Sequence, residues 1–169
     1  AELLADDVAE LILIGRREDA LSNLHDRLQT RAKAVLRTSV HVGDISKAQL
    51  ILTVTSAIHD IIHPEQLQPG CVVCDVARPR DVSTMVAEKR NDILVIDGGM
   101  VDVPGPVDFH FNFGFPPGKA YACMAETMIL ALEGRFEDYT LGKNITRQQV
   151  DEISCLAAKH GFRLSGFRS

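Results

Sequence analysis

The chain has 169 residues, 46% of them hydrophobic and 24% charged, which is ordinary for a globular domain that can bury a core. Its formal net charge of −5 argues against a nucleic-acid-binding protein, because such proteins usually carry a basic face. No apolar run approaches the length of a membrane span, and the chain does not open with a charged-then-apolar signal segment.

The first part of the chain predicts parallel strands that alternate with helices. Residues 1–7 are typical of the end of a helix, and the later apolar runs predict strands at Leu11–Ile14, Leu50–Val54, Cys71–Val76 and Ile93–Ile96. The segments between them are helical or polar: Glu18–Lys33, Ile45–Ala48, His63–Leu67 and Ser83–Arg90. Near-continuous apolar strands of this kind indicate an α/β fold with a doubly wound, Rossmann-like parallel sheet.

The remainder, residues 102–169, predicts a carboxyl-terminal extension that packs on this partial NAD(P)-binding domain. Asp102–Pro117 is rich in Pro, Gly and Phe, and predicts a short extended segment with one aromatic face formed by Phe109, Phe111 and Phe113. Ala120–Glu133 is apolar almost all round and predicts a buried helix, which Gly134 ends. A last helix begins at the capping-box spacing of Thr146–Gln149 and ends at Gly161.

A glycine-rich turn should lie about twenty residues before the acidic or basic group that ends the second strand of a dinucleotide-binding fold. The chain begins too late to contain that turn or the first strand. That strand occupies the centre of the sheet, and its absence would leave two apolar edges with unpaired backbone groups. We therefore expect both features in a missing amino-terminal region of the same protein.

Gly15, Arg16 and Arg17 follow the first apolar strand directly. A carboxylate at this place would bind the ribose 2′-hydroxyl of NAD, whereas an arginine can pair with the 2′-phosphate of NADP. The position therefore favours NADP as cofactor, although an ordinary solvated basic turn would have the same sequence.

Three further strand ends carry candidate cofactor-binding residues. Thr55 and Ser56 offer hydroxyl donors to phosphate or ribose, and Asp75 follows the next strand. Gly98 and Gly99 would let a nicotinamide ring lie against the main chain. Each group also has a simpler interpretation: a polar loop, a capped turn that pairs Asp75 with Arg78, or a tight turn.

Cys123 is the candidate nucleophile, since a helix N-terminus and the nearby Lys119 would both favour its thiolate. The pattern alone favours a small packed residue, as most free cysteines are. Cys71 and Cys74 have no second pair and alternate faces along a strand, so no metal site is expected. None of the four cysteines has the spacing of a disulfide framework, which favours a cytoplasmic location.

Several motifs together resemble the carboxyl-terminal part of long-chain fatty acyl-(acyl-carrier-protein) reductases, the aldehyde-forming enzymes of cyanobacterial alkane synthesis, and related bacterial Rossmann dehydrogenases. The most specific of them are Ala122–Leu130, Gly142–Thr146 and Lys159–Phe162. The strand-end motifs fall in the expected order: Leu13–Arg16, Thr55–Ala57 and Ile96–Val101. Asp75–Asp81 is also similar to a segment of glutamyl-tRNA reductases, which likewise reduce a thioester.

The resemblance implies that an acyl group passes from the phosphopantetheine of an acyl carrier protein to Cys123, and that NADPH then reduces the enzyme thioester to an aldehyde. Two other functions stay open at this point. One is a shikimate- or amino-acid-dehydrogenase-like enzyme that oxidises a small-molecule alcohol or amine, with Cys123 merely packed. The other is a nucleotide-binding domain without catalysis. The sequence also leaves the oligomeric state open, a homo-oligomer included.

Overall fold

The computed structural model describes residues 1–112, 114, 116–142 and 144–166. Within them the chain is a mixed α/β protein with parallel sheets, so the predicted class is confirmed. No helix of the described residues is both long enough and apolar enough to cross a membrane. The predicted aromatic position Phe113 lies outside these residues.

The first parallel sheet has two strands, β1 (Glu10–Ile14) and β2 (Val35–Ser39), joined by α1 (Glu18–Gln29). Leu21 and Leu28 of α1 are buried against β1, with Leu13 and Ala5 in the same cluster. Helix α1 ends four residues before the predicted Lys33, at Gln29. The predicted end of a helix at residues 1–7 is instead a series of hydrogen-bonded turns.

The second parallel sheet has the order β3-β4-β5, with β3 at Leu50–Thr53, β4 at Val72–Asp75 and β5 at Leu94–Asp97. Alternate residues of these strands point to a core formed with two 3₁₀ turns (Val42–Lys47 and Pro64–Gln66) and with α2 (Thr84–Lys89). The opposite face leaves Leu50, Leu52 and Leu94 exposed.

The two parallel sheets share no strand pair, which is the gap expected for a doubly wound sheet without its central first strand. One edge of β1 and one edge of β3 have no strand partner within the described parts of the chain. The sheets still meet through side chains, since Ile14 of β1 packs against the core of the second sheet.

A third sheet is antiparallel and was not predicted. It has the order β7-β6-β8 and consists of β6 (Met100–Asp102), β7 (Lys119–Tyr121) and β8 (Arg163–Leu164). Because Lys119–Tyr121 forms a strand, the next helix begins at Ala122, later than predicted. The sheet brings the end of the chain back beside the end of β5.

The helices α3 (Ala122–Leu132) and α4 (Arg147–Lys159) pack on this third sheet through Ala125, Ile129 and Phe162. The prediction that α3 is buried all round is wrong, because Leu132 and several other apolar residues on one side are exposed. The capping box of α4 is confirmed: Gln149 N donates to Thr146 Oγ1 at 3.2 Å, and Thr146 N donates to Gln149 Oε1 at 2.9 Å.

The segment before β7 does not form the predicted extended run. His110 has a φ of 51°, which reverses the chain direction between Phe109 and Phe111 and breaks the alternation that would give one aromatic face. Gly134 and Gly161 have φ values of 68° and 82°, as expected for residues that end α3 and α4.

Candidate functional site

The carboxyl ends of β3, β4 and β5 lie at one edge of the second sheet. Thr53 is in register with Asp75, and Asp75 with Asp97, so the residues that follow each strand are neighbours. The edge therefore brings together three of the predicted groups: Thr55 with Ser56, the loop after Asp75, and Gly98 with Gly99. This is the edge where parallel α/β sheets usually bind ligands.

Two buried carboxylates organise the loop between β4 and α2. Asp75 accepts hydrogen bonds from the backbone amides of Ala77 and Val82, each at 3.1 Å. Asp81 accepts from the amide and the hydroxyl of Thr55, at 3.1 and 2.6 Å, and from the hydroxyl of Thr53. Asp75 is fully buried, so its carboxylate supports the loop from inside instead of facing a cofactor.

The same loop carries two arginines that reach the neighbouring elements. Arg80 Nη2 donates to Asp97 Oδ2 at 2.9 Å, which links the loop to the end of β5. Arg78 lies over the ring of Tyr121 at 6.0 Å from its centroid and donates to the carbonyl of Ala77 at 2.7 Å.

The two glycines after β5 have different surroundings. Gly98 is buried, and a Cβ there would lie 2.5 Å from Cγ2 of Val76 and 2.9 Å from Sγ of Cys74. Gly99 is exposed with a φ of 74°, and a Cβ there would have only Val76 within 4 Å, at 3.9 Å. A flat ring could therefore lie against Gly99, whereas the corresponding side of Gly98 is filled by β4.

Cys123 lies exposed in the first turn of α3, whose N-cap residue is Tyr121. The amide of Ala122 donates to the carbonyl of Gly99 at 2.7 Å. Because Ala122 directly precedes Cys123, this hydrogen bond holds the candidate nucleophile close to the glycine turn at the end of β5. The carbonyl of Cys123 accepts a hydrogen bond from Thr127 at 3.2 Å, within the helix.

Lys119 is already held by two partners. Its Nζ donates to Asp102 Oδ1 and to Ser165 Oγ, each at 2.5 Å. The hydrogen bond from Lys119 lowers the pKa of the Asp102 carboxyl, which favours its charged form. The positive charge of Lys119 is therefore largely offset by Asp102 before it can act on Cys123.

Gly15, Arg16 and Arg17 lie at the carboxyl edge of the first sheet, since Gly15 N donates to Ser39 O at 3.2 Å. Arg17 precedes α1 and stands 4.0 Å from Asp19, with most of its side chain in solvent. Arg16 is exposed, and its guanidinium makes no hydrogen bond or ion pair within the described residues. It is thus available for an anionic ligand.

A cavity of about 510 Å³ opens beside this turn, between the start of α1 and the end of β2. A second cavity, of about 390 Å³, lies beside β7 and has a mixed lining, in which Asp108, His110, Asn112 and Lys119 are polar. The apolar residues of the second cavity are Val107, Phe109, Phe111, Pro116 and Pro117.

Three residues that help to form this site could not be identified from the sequence: Asp81, Ser165 and Gly166. Asp81 was placed in the loop after β4, but its partners Thr53 and Thr55 are 28 and 26 residues away. Ser165 reaches Lys119 across 46 residues, and the Gly166 carbonyl accepts from Asp97 N at 2.6 Å. Asp81 follows Arg78 and Arg80 in a polar segment, so no local pattern marks it as a buried residue.

Cys74 lies on β4, and Cys71 lies directly before that strand. Cys71 is buried and Cys74 half-buried, and burial raises the pKa of both thiols. The described residues contain no group of three or more histidine, cysteine, aspartate or glutamate side chains that could hold a metal ion.

Two curated proteins are similar to this chain in sequence. Aminotransferase PigE of Serratia sp. (strain ATCC 39006) is 38% identical over 148 residues, which cover 86% of this chain and 17% of PigE. Long-chain acyl-(acyl-carrier-protein) reductase of Synechococcus elongatus (strain ATCC 33912 / PCC 7942 / FACHB-805) is 28% identical over 162 residues, which cover 92% of this chain and 46% of the reductase. No family model matches the chain.

The chain therefore spans less than half the length of each of these relatives. Both relatives are enzymes by name, and the match to the reductase extends over nearly all of this chain. On the sequence and the fold together, the chain is related to part of a reductase and to a smaller part of an aminotransferase, and its described residues form a mixed α/β fold with parallel sheets.

Proposed function

We propose that this chain is the partial NAD(P)-binding domain, with residues 102–169 as its carboxyl-terminal extension, of an NADPH-dependent reductase that converts an acyl thioester to an aldehyde. One observation carries the proposal. The 2.7 Å hydrogen bond from Ala122 N to Gly99 O holds the exposed Cys123 next to the glycine turn at the ligand-binding edge of a parallel sheet. A thiol and a reduced nicotinamide must meet at one place for this chemistry.

The residues present fit a bound dinucleotide phosphate. Arg16 offers an exposed guanidinium without a protein partner among the described residues, two positions before Glu18, which lines the cavity of about 510 Å³. An arginine fork is suited to the 2′-phosphate that distinguishes NADPH from NADH. Arg17 supplies a second exposed cation, and Gly99 leaves open space at the other end of the edge.

The protein's own groups would act in two steps. In the first, the Cys123 thiolate attacks the thioester carbonyl, and the tetrahedral adduct expels the phosphopantetheine thiolate, which takes up a proton. In the second, the carbonyl carbon of the Cys123 thioester accepts a hydride, which NADPH supplies when bound, and the adduct releases the aldehyde and regenerates the thiolate. Cys123 lies in the first turn of α3, and the positive charge of Lys119 is offset by its pairing with Asp102.

The cleft beside β7 supports an acyl substrate carried by an acyl carrier protein. Two phenylalanines, two prolines and Val107 supply apolar wall beside four polar residues, and Lys119 connects the cleft to the strand that precedes Cys123. The relation to a long-chain acyl-(acyl-carrier-protein) reductase supports the same substrate class. The aminotransferase relative supports it less, because 17% of that protein is matched.

Cysteine substitution tests the chemistry. The full-length protein is incubated with an acyl-phosphopantetheine thioester, the acyl-enzyme is detected by intact mass, and aldehyde is measured after addition of NADPH. We expect Cys123→Ala to abolish both signals, whereas Cys155→Ala, which removes an exposed thiol on α4, should leave them unchanged. Acyl labelling or aldehyde formation that persists in Cys123→Ala would refute the proposal.

Arginine substitution tests the cofactor. We expect the full-length protein to bind NADPH more tightly than NADH, and Arg16→Ala to reduce that preference by about 10- to 100-fold, because a charge-assisted hydrogen bond to phosphate is lost. Arg37→Ala is the matched control, since Arg37 is paired with Glu10 at 2.6 Å on the first sheet. Equal affinity of the unmutated protein for both cofactors would contradict the role of Arg16.

A further inference from the structure

Asp81 holds both ends of one exposed loop of the candidate site. Its carboxylate accepts hydrogen bonds from Thr53 and Thr55 where the loop leaves β3. Its backbone carbonyl accepts from the amides of Ile61 and Ile62, at 2.8 and 3.0 Å, where the loop returns. Asp81 is itself 0% exposed, while Val54, Ser56 and most of the residues up to Asp60 are exposed.

Burial of the Asp81 carboxylate has a desolvation cost, and three hydrogen-bond donors from residues 53–55 offset that cost. Asp75 secures Asp81 in turn, because its carboxylate accepts from the amides of Asp81 and Val82 at 3.4 and 3.1 Å. The loop after β3 is therefore fixed to the loop after β4, although the two are separated by more than twenty residues of chain.

The amide and the hydroxyl of Thr55 both have hydrogen-bond partners within the protein. Its hydroxyl donates to Asp81 and accepts from the amide of Ala57 at 3.1 Å, and its own amide donates to Asp81. Ser56 is the next residue, is exposed, and has no hydrogen bond recorded from its hydroxyl or amide within the described residues. At this point of the loop, Ser56 is thus the residue with donors free for a ligand.

We propose that Asp81 and Thr55 are positioning residues that present Ser56 to the phosphate or ribose oxygens of the bound dinucleotide. The inference rests on the proposed function and changes the role first given to Thr55, from contacting the cofactor to holding its neighbour. A fixed donor binds more tightly than a mobile one, because the cost of ordering the loop is met before the ligand arrives.

The test uses the full-length protein, four single variants and one double variant. Asp81→Asn keeps the shape but removes an acceptor; Thr55→Val removes the hydroxyl, and Thr55→Ser retains it. Asp92→Asn is the control, since it removes a carboxylate that pairs with Arg90 just before the amino end of β5. NADPH affinity is measured for each variant, together with amide hydrogen exchange of residues 53–62 without ligand.

We expect Asp81→Asn and Thr55→Val to weaken NADPH binding by about tenfold or more and to speed exchange at residues 53–57. Their double variant should be little weaker than either single one, because both remove the same connection. Thr55→Ser should restore most of the affinity, and Asp92→Asn should change neither measurement.

Faster exchange with unchanged NADPH affinity in Asp81→Asn would overturn the positioning role while leaving the proposed function intact. If Asp81→Asn fails to fold, loss of affinity in Thr55→Val with rescue by Thr55→Ser supports the inference, and equal affinities of these two variants refute it. Absence of NADPH binding by the unmutated protein would instead refute the proposed function. In that case the amide hydrogen exchange of residues 53–62 would still show whether Asp81 and Thr55 hold the loop.

Discussion

Gly98 should be required for packing, and replacing it with alanine tests this directly. The added methyl group would lie 2.5 Å from Cγ2 of Val76 and 2.9 Å from Sγ of Cys74, both much closer than van der Waals contact. Val76 is β-branched and has few rotamers available, although it is 40% exposed and can partly move away. We expect Gly98→Ala to lower the free energy of unfolding by about 1–3 kcal/mol, the usual cost of overpacking.

Urea unfolding of the full-length protein measures this loss, and thermal unfolding should show a Tm lowered by about 2–4 °C for each kcal/mol. The double variant Gly98→Ala with Val76→Ala removes the closest clashing carbon, so it should recover about 1 kcal/mol relative to the sum of the single changes. The contact with Cys74 remains in the double variant, and recovery should therefore be incomplete.

Two other glycines provide matched controls. A Cβ at Gly15 would lie 3.4 Å from the nearest atom of Leu21, an ordinary contact, so Gly15→Ala should change stability by less than about 0.5 kcal/mol. Gly99→Ala should cost about 1 kcal/mol through its positive φ of 74°, and Val76→Ala should not rescue it. Native stability in Gly98→Ala, or absence of rescue by Val76→Ala, would refute the packing argument.

Two predictions concern pH. The hydrogen bonds from Arg90 lower the pKa of Asp92 from 3.8 to about 2, so this pair should stabilise the protein above pH 3.8 and lose its effect as the pH falls toward 2. In acid unfolding, the difference between the unmutated protein and Asp92→Asn should therefore shrink over that interval, and a constant difference would contradict the assignment. Loss of hydration, followed by the hydrogen bond to Glu152, raises the pKa of Tyr139 from 10.0 to about 12. The native state should lose stability as the pH rises from 10 toward 12, because the unfolded chain ionises first, and ultraviolet titration should show a late tyrosinate signal that Tyr139→Phe removes.

Most of the parallel strands could be predicted because each of those is partly buried, and burial requires a run of apolar residues within the strand itself. The cores of β3, β4 and β5 coincide with the predicted strands, and the segments between them contain the expected helical turns. Strand β2 was missed because Val35 and Leu36 are its only apolar residues and Val35 is exposed. A strand whose partner lies on one side only does not need a continuous apolar sequence.

The antiparallel sheet could not be predicted because its pairing is long-range. Asp102 pairs with both Lys119 and Arg163, and strands of two or three residues carry no periodicity of their own. The same limit applies to the candidate site, where the residues at strand ends were identified but the partners of Asp81 and Lys119 were not. Hydrogen bonds between distant segments leave no spacing pattern in a sequence.

The hydrogen bond from Asp97 N to the Gly166 carbonyl has a consequence for how this protein can be divided experimentally. A Cβ at Gly166 would lie 2.1 Å from the Asp97 carbonyl oxygen, so the last described residues pass in direct contact with the end of β5. Cutting the gene between residues 101 and 102 would separate two polypeptides that complete one another's backbone hydrogen bonding. Residues 102–166 are an extension in the order of the chain, but in space they lie against the end of β5, and the two pieces should be co-expressed if they are to be studied apart.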